Sequence, residues 1–580
     1  MTSPTDIVTL DNFASKLPPW EPNLPNHLYA LVDMGSNGIR FSISDLSPPK
    51  TRLLGCLYRE RAAISLFDDL NASSSSGPLA FSPDVITRVS QTLARFKSIA
   101  EDHGVPIEHI SVLATEAMRK AENANSMLDA ILEASGLGVH VLAPEVETLF
   151  GAMGARSGFT SVNGLFLDLG GGSVQMTYLN SSEDGYEMAA AQSGKSLPFG
   201  AAKLMRILEG GETEAQAEAV DTLQEGMQAA FAKLQQQFPS LKDIQAKEDA
   251  GIDIYLCGGG FRGYGNILMH TDAIQPYPIP AVGAYTVQGS LFGRTKAMRK
   301  VNRKYDSKIF GMSKRRRQQF PAIATVVEAL VDAIPPIRTA TFCSGGNREG
   351  ALFMKLPQAL REDNPLPLLH QVDNGMEPEI LQSVIDVVQS SLPPGVDSSN
   401  IPTVFSLGLG PIFVDSIWAR SGESSGANAA FELHQAITRD PSTPSFTHLA
   451  RAILGLTLCN RWEASLGPID KILYANLHEL VARADPAANF LTEYIGAVAR
   501  LIALVCPTKP NTPDKLGKIL TLSPTVKISK AKEKQHLVIT LSPDIHRGLD
   551  PQDLTGLFKS VGRHGNSDRK VDVVVKEFNI

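Results

Sequence analysis

Short apolar runs cut by glycine alternate with longer amphipathic stretches over roughly the first 356 residues. Leu28–Val32 and Ile39–Ile43 read as strands. In the second, Ile39, Phe41 and Ile43 alternate with Arg40 and Ser42, the period of a strand with one polar face. Ile110–Ala114 is a further strand, followed by a helical run through Leu132. Glu214–Leu234 and Phe431–Leu458 carry helical patterning, the latter broken at Pro441–Pro444. His536–Leu541 and Val571–Val575 return to strands. The expected fold class is α/β, then a mainly helical region, then a small α+β module. Breakers place the boundaries: a loose Pro-rich tail over 1–26, one lobe over 27–145, a second over 146–356, the helical region over 357–510 and the last module over 511–580. Asn71–Pro78, Leu356–Pro367, Leu392–Asn400 and Pro507–Lys515 read as loops or connectors.

A chain of 580 residues is too long for one core and calls for several domains. Its 43% hydrophobic and 20% charged content is that of a globular protein and argues against disorder. The net charge of -7 disfavours nucleic acid and anionic membrane as partners, so any polyanion must be held by a local site. Tyr494–Cys506, the most apolar run, carries Arg500 and falls short of the roughly 20 residues that a bilayer requires. The N-terminus lacks a charged-then-apolar leader pattern. Cys56, Cys257, Cys343, Cys459 and Cys506 are far apart and form no C-x-x-C pair, which reads as buried thiols in a reducing compartment. A cytoplasmic location is expected.

One motif occurs twice. Leu31-Val32-Asp33-Met34-Gly35-Ser36-Asn37-Gly38-Ile39-Arg40 and Leu165-Phe166-Leu167-Asp168-Leu169-Gly170-Gly171-Gly172-Ser173-Val174-Gln175 each run from a strand ending in Asp, through a glycine turn, into a second strand. Glycine lets backbone N–H groups approach a phosphate, a serine hydroxyl adds a donor, and the Asp is suited to hold a hydrated Mg2+ against it. Either copy alone is a plain hairpin. Two copies with Asp at the same place describe a cleft that grips phosphates from both sides.

These segments resemble the two phosphate loops of the Ppx/GppA phosphatases, the exopolyphosphatases and guanosine pentaphosphate phosphohydrolases. The resemblance extends in order through Ala114-Thr115-Glu116-Ala117-Met118-Arg119 with Asn123, Ser196-Leu197-Pro198-Phe199-Gly200, Cys257-Gly258-Gly259-Gly260 and Ser344-Gly345-Gly346-Asn347-Arg348-Glu349-Gly350, covering about residues 28–356. It implies the two-lobed actin-like ATPase and sugar-kinase fold, ribonuclease-H-like in each lobe, with a phosphoanhydride ligand (polyphosphate, guanosine polyphosphate or ATP) between the lobes and Mg2+ as cofactor. The family's water-activating carboxylate falls on Glu147, with Glu145 the second choice. The resemblance assigns phosphate binding to Gly35, Ser36, Asn37, Arg40, Gly170, Gly171, Gly172, Ser173, Gly258 and Gly259. Metal binding falls to Asp168 with Asp33 assisting, and a catalytic phosphate clamp to Arg119. Arg262, Arg348 and the run Lys314-Arg315-Arg316-Arg317 could extend a basic path, although such a run reads first as a solvated face or helix end.

Two departures bear on activity. Gln175 stands where active members carry Glu, a neutral amide in place of a metal-holding carboxylate, and Gly38 replaces a serine. The helical region lacks a His-Asp pair of the kind that bacterial members carry there, since His434, His448 and His478 are followed by Gln435, Leu449 and Glu479. These departures and the long C-terminus resemble a fungal branch of the family that signals from mitochondria to nucleus. Two readings stay open: a regulator that binds phosphoanhydrides and retains some hydrolysis, with a protein partner in signalling and a homodimer among its options, or an active Mg2+-dependent hydrolase.

Overall fold

The computed structural model describes residues 7–72, 79–210, 212–246, 251–370, 376–393, 402–420, 424–529, 532–562 and 570–577. Most of Asn71–Pro78 and of Leu392–Asn400, both read as connectors, lies outside the described residues. The chain divides into two compact units. The first holds the chain through Thr271, Ala281–Asp363 and Ser442–Ser445; the second holds Asp272–Pro280, Asn364–Pro441 and the chain from Phe446 onward.

The first unit contains two six-stranded sheets. Lobe I comprises β1 (Ile7–Val8), β2 (Leu28–Gly35), β3 (Gly38–Asp45), β4 (Gly55–Ala62), β5 (Ile110–Ala114) and β6 (Val139–Leu142), in the order β1-β6-β5-β2-β3-β4. Lobe II comprises β7 (Asn163–Leu169), β8 (Val174–Asn180), β9 (Lys195–Leu197), β10 (Ile252–Cys257), β11 (Thr286–Gln288) and β12 (Ile337–Phe342), in the order β11-β12-β10-β7-β8-β9. Without β1 and β11, both lobes show the same path. Three antiparallel strands lead, and two parallel strands join on the other side of the first. This is the ribonuclease-H-like order, carried twice, as the repeated motif implies.

Strand β2 shows why its sequence is nearly all apolar. Ala30, Val32 and Met34 face one core with Phe41, Phe96 and Val112, while Tyr29 and Leu31 face another with Phe150, Phe166 and Phe353. A strand buried on both faces has no polar period to display. Asp33 breaks the run at the β2 end and lies on the Leu31 face. The helix Pro83–Asp102 covers one side of lobe I; Ser82 caps it by accepting from the Val85 amide, with Pro83 at its first position.

The expected loose tail is a correction. Residues 7–26 are built into the first unit: β1 pairs in parallel with β6, Leu17 and Trp20 are buried, and Trp20 Nε1 donates to the Leu46 carbonyl at 3.1 Å. Lys355 is buried against this segment, its Nζ donating to the Pro18 carbonyl at 2.7 Å, and burial lowers its pKa to about 8. The prolines set the segment's path over the lobes and do not loosen it. The connector Leu356–Pro367 likewise contains a short helix, Gln358–Glu362, whose Glu362 accepts from buried Arg156.

The second unit is helical and closes on a three-stranded sheet. That sheet holds β13 (Leu520–Ser529), β14 (Lys532–Leu541) and β15 (Lys570–Glu577), with β14 antiparallel to β13 and parallel to β15. Strand β13 escaped the sequence reading because Pro524 interrupts its apolar run. The helix Pro486–Val505 is another correction: at 20 residues it is long and apolar enough to cross a bilayer, although it is mostly buried within the unit. The three histidines of the helical region hold ordinary polar partners. His478 Nδ1 lies 2.9 Å from Asn489 Oδ1, His448 Nδ1 lies 2.8 Å from the Tyr277 hydroxyl, and His434 Nε2 lies 2.8 Å from Asp470 Oδ1.

Because Val8, Leu17 and Trp20 of the N-terminal segment belong to the core around Leu31, Phe150 and Phe166, Trp20→Ala should lower the unfolding free energy by about 3–5 kcal/mol, the usual cost of emptying a buried aromatic site. A urea titration followed by circular dichroism measures it. A change under 1 kcal/mol would mean that the segment is dispensable to the fold.

Candidate functional site

The two glycine turns stand in equivalent places. Gly35, Ser36 and Asn37 join β2 to β3, and Gly170, Gly171, Gly172 and Ser173 join β7 to β8. Asp33 and Asp168 occupy matching positions near the ends of β2 and β7. Directly across the hairpins stand Arg40 and Gln175. Side chains opposite one another on antiparallel strands share a face, so each turn brings its Asp and its cross-strand partner to the same side.

Asp33 is 4% exposed. Its Oδ2 lies 3.7 Å from Arg40 Nη1, and its Oδ1 is buried without a hydrogen-bond partner. Burial raises the pKa of Asp168, with Arg262 and Arg40 opposing and Asp33 adding to the rise. A partnerless carboxylate oxygen beside a second carboxylate fits Mg2+, which takes one or two carboxylates and keeps waters and phosphate oxygens as its other ligands. No group of three or more metal-binding side chains occurs among the described residues.

Glu147 and Arg119 come together. Glu147 lies in the first turn of the helix Pro144–Ser157, and Arg119 Nη2 donates to its Oε2 at 2.8 Å while Nη1 donates to the Leu142 carbonyl. Burial pushes the Glu147 pKa up to about 7; Arg119 opposes, and Asp33 and Glu116 raise it further. The structure thus brings Arg119, which the sequence assigned to phosphate, onto the Glu147 carboxylate. Glu145 is in the same helical turn, two residues away, and among the described residues it is Glu147 that pairs with Arg119.

The glycines serve two purposes. Gly258 has φ +87° at the start of the helix Gly258–His270, and a Cβ there would lie 2.2 Å from Asp168 Oδ1. A Cβ on Gly171 would lie 2.2 Å from Asn37 Nδ2, because the two phosphate loops meet at this point. Gly259 faces open space, so nothing around it demands glycine. The segment Ser196–Gly200 braces the second loop from behind: the amides of Ala201 and Ala202 donate to the carbonyls of Gly170 and Gly171 at 3.0 Å.

Positive charge gathers around the first loop. Arg262 donates to the Ser344 and Gly258 carbonyls, and its pKa is lowered by burial and then by Arg40. Arg316 falls to about 10, through burial first and then Arg262, Arg40 and Arg61. Arg61 Nη2 donates to the Asn37 carbonyl at 2.7 Å, and Arg315 Nη2 donates to Asn37 Oδ1 at 2.7 Å. Arg348 Nη1 is buried without a hydrogen-bond partner. The run Lys314–Arg317 is thus not merely a solvated helix end. Ser313 caps its helix, Arg317 holds three backbone carbonyls, Arg316 is turned inward and Arg315 reaches lobe I. Sequence reading missed Arg61, although its place opposite Arg40 in the β3–β4 register is the signal that finds it. Gln175 is buried, and its Oε1 accepts from the Thr148 hydroxyl at 3.4 Å, beside Glu147.

Comparison with known proteins gives the chain's family. Residues 47–359 match the Ppx/GppA phosphatase family, and residues 367–573 match the RTG2 C-terminal domain. Retrograde regulation protein 2 of Saccharomyces cerevisiae is 30% identical over 494 residues, covering 83% of this chain and 81% of that protein. Among solved structures, the Ppx/GppA family member of Aquifex aeolicus has 20% identity and a TM-score of 0.43, covering 57% of this chain and 97% of its own. An exopolyphosphatase from Cytophaga hutchinsonii has 20% identity and a TM-score of 0.42, covering 56% and 97%. With a family match spanning more than half its length and a 30% identical relative that it covers over 81%, this chain belongs to the Ppx/GppA phosphatase family.

Proposed function

We infer that this protein is a regulator of retrograde, mitochondria-to-nucleus signalling whose first unit binds a phosphoanhydride ligand between its lobes and hydrolyses it through Glu147. The 30% identity to the yeast retrograde regulation protein supports the signalling role. The observation that carries the chemistry is Glu147, held by Arg119 with a pKa raised to about 7. A base with a pKa near the working pH is both ionised and able to hold a proton.

Each residue has a part. Glu147 takes the proton from the attacking water while Arg119 fixes its orientation. The N–H groups of the two loops hold the phosphate chain, and Arg40 and Arg262 offset the charge that grows in the transition state. Asp33 and Asp168 would hold Mg2+, which supplies further neutralisation of the phosphate oxygens. Gln175 favours a second reading, a sensor that binds without turnover, because a neutral amide stands across from Asp168 where a carboxylate would strengthen the metal site.

Glu147→Gln should lower phosphate release from polyphosphate, guanosine pentaphosphate or ATP by at least about 100-fold with ligand binding kept. Near-wild-type turnover would move the role to Glu145 or end the enzymatic reading. The pH profile tests the same group. A carboxylate must be ionised to act as base, so wild-type turnover should rise as the pH climbs through about 7 and then level off, with that inflection absent in Glu147→Gln. Gln175→Glu should tighten Mg2+ and raise turnover in magnesium titrations; identical curves for the two proteins would remove position 175 from the metal.

A further inference from the structure

The geometry points to a second phosphate subsite at the exposed rim of the cleft, formed by Arg315, Ser65 and Asn37, with Asp68 as its built-in competitor that a ligand phosphate displaces. This inference rests on the reading that the cleft takes a phosphoanhydride. Arg315 comes from the start of the helix Lys314–Ala333 in lobe II, and its three acceptors all belong to lobe I. Its Nη2 lies 2.7 Å from Asn37 Oδ1, 2.8 Å from Asp68 Oδ2 and 3.2 Å from Ser65 Oγ. A guanidinium Nη carries two hydrogens. Three acceptors crowd it, so the present arrangement leaves at least one underused.

Charge points the same way. Arg61 is lowered by burial and then by Arg40 and Arg315, and Arg316 by burial and then by Arg262, Arg40 and Arg61. Guanidiniums that depress one another mark a surplus of positive charge. Among the ion pairs described, Asp68 is the carboxylate that answers Arg315, and it is 51% exposed while Arg315 is 37% exposed. An exposed ion pair of this kind adds little stability, because water screens both charges. A phosphate brings more charge and matches the guanidinium fork with two oxygens, which a single carboxylate oxygen at Nη2 does not. Exchange of Asp68 for phosphate therefore runs downhill at modest ligand concentration.

The exchange also has a structural consequence. Asn37 sits between Arg315 at its Oδ1 and Gly171 at its Nδ2, so the side chain that joins the two loops is held by the same arginine that Asp68 occupies. A phosphate on Arg315 keeps lobe II tied to the first loop through the ligand in place of Asp68. Affinity then depends on a competition inside the protein, and a ligand that also occupies the glycine turns must carry more than one phosphate.

Calorimetry on the full chain with inorganic tripolyphosphate, with and without Mg2+, tests this. Asp68→Asn should tighten binding about 10-fold, and Arg315→Gln should weaken it about 10-fold, each the size of one charge-assisted hydrogen bond. In the Arg315→Gln background, Asp68→Asn should change affinity less than about twofold, since coupled partners are non-additive. Asp84→Asn removes the same charge from an exposed Arg88 pair elsewhere in lobe I and should leave affinity unchanged. Three outcomes overturn the subsite: no effect of Asp68→Asn, an effect that persists without Arg315, or an equal effect from Asp84→Asn. Failure of the wild-type protein to bind tripolyphosphate, polyphosphate or ATP overturns the phosphoanhydride reading itself and takes the subsite with it.

Discussion

Burying Asp33, Asp168 and Glu147 around one cleft sets the terms for the rest of the site. Removing a carboxylate from water costs several kcal/mol unless cations or donors answer it. Arg40 and Arg262 answer Asp168, Arg40 stands beside Asp33, and Arg119 answers Glu147. The answer to Glu147 is incomplete, for burial outweighs Arg119 and leaves its pKa near 7. The same incompleteness shows at Asp33 Oδ1, which is buried without a partner. Unsatisfied groups of this kind are costly to a fold and belong where a ligand or cation completes them.

The guanidiniums exceed the carboxylates that they answer. Arg61, Arg315 and Arg316 add to Arg40 and Arg262 around the first loop, on a chain whose overall charge is -7. A local surplus inside a net-negative molecule favours a small, highly charged anion over an extended polyanionic surface, because the wider field repels the latter.

Much of this was legible in the chain. The paired hairpins could be read because their physics is local: alternation sets strand faces, and a glycine turn next to Asp looks the same in any context. Topology followed, since the same motif starting each half implies the same sheet twice. The N-terminal segment was not legible, because Pro18, Pro19, Pro22 and Pro25 signal loose chain, while the pairing of Ile7–Val8 with β6 and the seat of Trp20 on Leu46 depend on partners far along the sequence. The helix Pro486–Val505 was read as shorter than it is, for Asn489, Thr492 and Glu493 break the apolar run that the bundle nevertheless buries.

The sequence by itself determined the two glycine-turn hairpins, the glutamate near them and the family, because each is a short pattern whose geometry is set within a few residues. Only the tertiary structure decided which charges act together. Arg119 pairs with Glu147, and Arg315 crosses from one lobe to Asn37 and Asp68 of the other. An arginine's long stem lets its head reach many places, and neighbours in space, not in sequence, select among them. The run Lys314–Arg317 is the plainest case. As a string it is four positive charges in a row; on a helix beginning at Ser313 it sends each arginine to a different partner.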